Sequence, residues 1–123
     1  MLDHVTIWVA DLARSKAFYD PALATLGITR LYEEGGKFAG YGMGEKAFFW
    51  IGVAGGPITG VHIAFAAPDR ATVDRFHTHA IKAGGQDNGP PGLRPLYHPN
   101  YYGAFVLDPD GHNIEAVYHG TAP

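Results

Sequence analysis

The chain has 123 residues, 9 Lys and Arg against 12 Asp and Glu, a net charge of -3 and no cysteine. That length suits one domain with a real core. With no basic run the electrostatic footprint for nucleic acid or an anionic membrane is missing, and with no thiol there are neither disulfides, thiolate metal sites nor a cysteine nucleophile.

The elements read in chain order as follows. Leu2 to Val9 is short, apolar and β-branched, which predicts a strand, and Asp11 is a suitable N-cap for the segment after it. A helix with Leu12, Phe18 and Leu23 on its apolar face follows, kinked or restarted at Pro21 and closed by Gly27. Three short β-type runs come next, Ile28 to Glu34, Lys37 to Tyr41 and Lys46 to Val53, divided by glycines. After Gly55-Gly56-Pro57, Gly60 to Ala67 reads as a second opening strand, Asp69 as a second cap, and Val73, Phe76, Ala80 and Ile81 as the stripe of a second helix. Asp87 to Asn100 is rich in Gly and Pro and predicts a long loop, and Tyr102 to Leu107 and His112 to Tyr118 form a hairpin about Asp108-Pro109-Asp110-Gly111. No apolar stretch is long enough to span a bilayer and the opening residues lack a secretory layout, so a cytoplasmic protein is expected.

The order repeats. His4-Val-Thr-Ile-Trp-Val-Ala-Asp11 returns as His62-Ile-Ala-Phe-Ala-Ala-Pro-Asp69, and the match runs on through Phe18 with Phe76 and Gly27 with Gly85. The expected fold is therefore α+β: two βαβββ modules, residues 1–54 and 60–119, in a single domain spanning 1–123.

Strand alternation then places side chains. If Val5, Ile7 and Val9 pack under the first helix, His4, Thr6 and Trp8 face the other way; by the same parity His62 and Glu115 share the open face of the second module. Two imidazoles and a carboxylate suit a divalent first-row ion such as Fe, Mn, Ni, Co or Zn, so His4, His62 and Glu115 are the candidate metal ligands. The repeat sets Trp50 opposite Glu115, where a fourth ligand could have stood, and indole cannot ligate. Trp50 and Phe48 are expected to wall a pocket. Arg94 to Tyr102 gathers ionisable and aromatic groups ahead of the last hairpin; it offers His98 and Tyr102 as proton-transfer groups beside Glu115 in a catalytic set, and Arg94 and Tyr101 as substrate contacts. His77, His79, His112 and His119 have no symmetry mate and read as surface residues.

These residues resemble the vicinal oxygen chelate superfamily, which includes glyoxalase I, extradiol dioxygenases, fosfomycin-resistance enzymes and bleomycin-binding proteins. The resemblance covers almost the whole chain and rests on the two modules, on Ala17-Phe18-Tyr19, and on Phe105-Val-Leu-Asp-Pro-Asp-Gly111-His-Asn-Ile-Glu115. It implies an open barrel-like cleft and a metal held from the first and last strand of each module, which matches His4, His62 and Glu115. It also implies a homodimer in which the first module of one chain pairs with the second of its partner. Trp50 departs from glyoxalase I, which usually has a carboxylate or amide there. The function implied is a small metal-dependent lyase, isomerase or dioxygenase acting on vicinal oxygens of a small substrate; the rival is a metal-free binding protein of the bleomycin-resistance kind.

Overall fold

The computed structural model describes residues 1–121. Strand β1 (Val5–Val9) leads into helix α1 (Leu12–Ala24), and β2 (Thr29–Glu34), β3 (Phe38–Met43) and β4 (Lys46–Val53) complete the first module. The second repeats it with β5 (His62–Ala66), α2 (Arg70–Lys82), β6 (Gln86–Leu93), β7 (Tyr102–Leu107) and β8 (Asn113–Tyr118). Each module folds as an open four-stranded sheet, in the orders β1-β4-β3-β2 and β5-β8-β7-β6, so the opening and closing strands run side by side and parallel. The α+β reading and the two βαβββ modules hold.

Both helices start where the sequence caps them. Asp11 accepts from the Arg14 amide at 2.9 Å and Asp69 from the Thr72 amide at 2.7 Å, which satisfies donors that the first turn leaves without partners. Pro21 stands inside α1, which runs through it to Ala24 rather than restarting.

One segment departs from expectation. The first part of the proposed loop 87–100 is β6, paired to β7 with register shifts between Asp87 and Gly89 and between Gly89 and Gly92. Pro90 and Pro91 cannot donate to a ladder, yet β6 is the last strand of its sheet, where one side needs no donors.

The helix-facing sides of the two sheets merge into a single core. Ile7, Val9, Phe18, Leu23, Phe49 and Ile51 from the first module join Phe65, Val73, Phe76, Val106 and Ile114 from the second, and Phe49 meets Phe65 edge to face at 5.3 Å between ring centres. The β7–β8 turn then clamps the modules with polar bonds. Asp108 accepts the Tyr19 hydroxyl at 2.5 Å and the His112 amide at 2.8 Å, and the Asp110 carboxylate accepts the Ala10 amide at 3.2 Å. Gly111, at φ 88°, takes the left-handed conformation that closes this turn. His112, expected at the surface, is 1% exposed. Its ring crosses to the first module, so the turn that carries it packs inward.

Candidate functional site

A shared core fixes where the open faces look. Since both sheets turn their helix sides inward, their other faces lie on the outside of the chain, and each carries its own concavity. His62, Tyr97, Tyr101, Phe105 and Glu115 line one of about 390 Å³; His4, Thr6, Glu34, Phe38 and Trp50 line another of about 190 Å³. The structure thus brings His62 and Glu115 together and sets His4 apart from them. Among the described residues no three His, Asp or Glu side chains of one chain converge as a metal-binding group.

In the second module the parity argument holds. Glu115 pairs with Ala64 on one side and Phe105 on the other, at the centre of the sheet, and is 0% exposed. Its Oε1 lies 3.0 Å from His62 Nε2. The angle is not that of a hydrogen bond, and Oε1 has no hydrogen-bond partner although it is buried. On the far side of the ring His62 Nδ1 sits 3.0 Å from the Asn113 carbonyl oxygen, which can only accept, so Nδ1 carries a proton, and in the neutral ring Nε2 presents a lone pair. In that state two lone pairs, one on nitrogen and one on a carboxylate oxygen, converge. A buried carboxylate in that position is stabilised by a cation placed between them.

The other carboxylate oxygen is occupied. Tyr101 donates its hydroxyl to Glu115 Oε2. Burial first, and then this bond, hold the Tyr101 hydroxyl well above the usual phenol range, so it stays a donor at any pH near neutral. Gly103 leaves the space that the pair needs: a Cβ there would come within 3.1 Å of Oε2 and 3.2 Å of the Tyr101 ring. Phe105 stacks against His62 at 6.1 Å and carries the Arg94 guanidinium 5.4 Å over its ring. Arg94 Nη2 in turn donates to the Pro90 carbonyl at 2.7 Å, tying the end of β6 to this wall.

Tyr102 does not take part, contrary to expectation. As the first residue of β7 it faces α2, where its hydroxyl donates to Asp74 Oδ1 at 2.6 Å and Arg70 lies over its ring. Tyr101, one position earlier, supplies the phenol. His98 lies behind Tyr101, edge-on to its ring at 5.5 Å, with its Nε2 2.8 Å from His119 Nδ1 and its Nδ1 accepting the Asn100 amide at 3.1 Å. It does not line the His62 concavity.

In the first module the symmetry expected for Trp50 is realised strand by strand. Trp50 pairs with Thr6 as Glu115 pairs with Ala64. The indole lies across Gly40, where a Cβ would come 2.8 Å from its ring, and stacks nearly parallel to Tyr32 at 6.1 Å. Trp8 and Phe38 meet at 6.1 Å over Gly52. The open face of this sheet is therefore paved with rings. Phe48 borders a further apolar cavity with His4, Val5, Ile63 and Phe65, where the two modules meet.

Sequence reasoning missed Phe105, Tyr97, Phe38 and Glu34 as lining residues. Phe105 was within reach, because pairing across the last hairpin sets it opposite Glu115. Glu34, a charge at the end of a strand, carried no such signal.

The model of the glyoxalase/bleomycin resistance protein/dioxygenase superfamily matches residues 1–116. Among solved structures, a glyoxalase/bleomycin resistance protein from Albidiferax ferrireducens T118 is similar at 34% identity with a TM-score of 0.84, covering 98% of this chain and 99% of that one. A lactoylglutathione lyase from Agrobacterium tumefaciens, 18% identical, shares the fold with a TM-score of 0.70 over 96% of this chain and 92% of that one. No curated protein matches the chain.

Proposed function

The chain belongs to the glyoxalase/bleomycin resistance protein/dioxygenase superfamily, and from that premise we propose that it is a metal-dependent enzyme acting on a small substrate with vicinal oxygens. His62 and Glu115 of one copy and His4 of the partner subunit hold a divalent ion (Fe, Mn, Ni, Co or Zn) across a homodimer in the cytoplasm. One observation carries the reading: the buried Oε1 of Glu115, which has no hydrogen bond, faces His62 Nε2 at 3.0 Å. Imidazole and carboxylate donors fit such an ion. When bound it supplies Lewis-acid chemistry for lyase, isomerase or dioxygenase turnover.

The protein's own residues do the rest. Asn113 orients the His62 ring through its carbonyl, and Phe105 and Tyr97 line the His62 side of the concavity. Trp50, with Phe38 and Thr6 from the partner subunit, offers the flat apolar side against which the substrate rests. Two copies are required because the open faces of one chain look outward, so His4 reaches His62 and Glu115 only between chains.

Metal analysis of protein purified without added metal or affinity tag tests this, beside His62→Ala and Glu115→Ala. A near-stoichiometric ion in the parent, lost in both variants, is expected. A parent that takes up none of the five ions overturns the reading.

A second reading draws on the paved face of the first module. The stacked Tyr32 and Trp50 and the Trp8–Phe38 pair suit a metal-free protein that holds an aromatic ligand. Binding of an aromatic ligand that survives His4→Ala, by a protein with no ion, favours it.

A further inference from the structure

The second module contains a feature that the metal ligands alone do not require. Tyr101 stands just before β7 and reaches across to a carboxylate on β8 that is already in the centre of the sheet. The contact is provided for on three sides. Gly103 has no Cβ to crowd Oε2, the Arg94 amide donates to the Tyr101 carbonyl at 2.7 Å, and the Tyr101 ring is held edge-on by Tyr97 at 4.8 Å and by His119 at 5.2 Å. The segment 94–101 thus presents one hydroxyl to one carboxylate oxygen. The other oxygen is left without a hydrogen bond.

We propose that Tyr101 is the positioning residue of the metal site: by holding Glu115 Oε2 in a hydrogen bond, it turns the carboxylate so that Oε1 alone is offered beside His62 Nε2. This rests on the metal reading above. An unrestrained glutamate can rotate about its terminal torsion, which is broad, and can offer either oxygen or both. A phenol donating to a carboxylate makes a strong, directional bond that removes this freedom before any ion arrives. Outer partners of this kind typically change metal affinity 10- to 100-fold when removed.

Co(II) is the probe, because its visible absorption reports the number and symmetry of its ligands. Parent protein, Tyr101→Phe and Gly103→Ala are titrated with Co(II), and far-UV circular dichroism melts verify folding. Phenylalanine keeps the ring and its packing and deletes only the hydroxyl, whereas alanine at 103 keeps the hydroxyl and presses on Oε2. The expected result is a Co(II) dissociation constant raised about 10- to 100-fold in Tyr101→Phe, with a changed visible band as Oε2 becomes free to bind. Gly103→Ala weakens binding in the same direction. Parent-like affinity and band in Tyr101→Phe overturn the positioning role and leave the metal reading standing. If Tyr101→Phe fails to fold, Gly103→Ala decides, parent-like binding overturning the proposal. A parent that takes up no Co(II) overturns both.

Discussion

His112 and Trp8 bind the two modules to each other: His112 Nε2 lies 2.8 Å from the Trp8 carbonyl oxygen, and Nδ1 accepts the Val61 amide at 3.1 Å. Both ring nitrogens of this 1% exposed side chain are used, which places the proton on Nε2. The closing turn that most marks the chain's family is thus a structural clamp as well as the approach to Glu115.

Removing the buried ring strips the Val61 amide and the Trp8 carbonyl of their partners and leaves a void. His112→Ala should cost about 2–5 kcal/mol, read as a lower denaturation midpoint in urea. His79→Ala, at an exposed position, serves as the control and should leave the midpoint nearly unchanged. Equal midpoints for the two variants would contradict the clamp.

Alkaline pH should weaken the same seam, through Tyr19, and the first module, through Tyr41. Burial, then the Asp108 carboxylate, hold Tyr19 well above the usual phenol value of 10.0, and burial with the Asp20 hydrogen bond does the same for Tyr41. A group whose pKa is raised in the folded state contributes stability that is fully present below the unfolded value and lost as pH climbs beyond it. The melting temperature should therefore fall as pH passes 10, and Tyr19→Phe and Tyr41→Phe should each flatten that fall. Tyrosine absorbance at alkaline pH gives an independent reading: Tyr19 and Tyr41 ionise only as the protein unfolds. Ordinary, reversible titration of all 7 tyrosines in folded protein would rule this out.

Trp50 owes its position to a missing side chain. A Cβ at Gly40 would stand 2.8 Å from the indole ring, so Gly40→Ala must tilt it off Tyr32. Overpacking of this kind costs about 1–3 kcal/mol, and indole fluorescence should shift with the change in contacts. An unaltered emission spectrum would mean that Trp50 does not lie on the sheet.

Much of this was legible in the sequence, because the repeat carries its own register. His4 with His62 and Asp11 with Asp69 mark equivalent strands and caps, and counting from them set Trp50 where its twin Glu115 stands, as the pairings Thr6–Trp50 and Ala64–Glu115 bear out. What stayed hidden depended on packing. Tyr101 and Tyr102 differ by one position at the start of a strand, and one residue reverses the face. β6 was concealed by Pro90 and Pro91, whose place on an edge only the sheet order reveals. His112 sits after a turn of Pro, Asp and Gly that reads as exposed, and only the docking of one module on the other buries it. That same docking separates His4 from His62.

An ion should stabilise the fold only where the ligands exist. At a free Co(II) or Zn(II) concentration about 100 times its dissociation constant, linkage predicts roughly 2.7 kcal/mol of added stability, seen as a higher melting temperature. Glu115→Ala should show no such gain. A gain of the same size in that variant would place binding elsewhere.

Mixing two defective variants tests most directly whether the site lies between chains. In the proposed homodimer, His4→Ala and Glu115→Ala each disable every site formed by two copies of the same variant. When they are unfolded together and refolded, a mixed dimer has one site with both ligands missing and one with His4 and Glu115 intact. With random pairing about half the dimers are mixed, so close to a quarter of the parent's metal capacity should return, though neither variant alone holds an ion. A mixture that recovers no metal, beside a refolded parent that recovers its full share, would show that each site belongs to one chain.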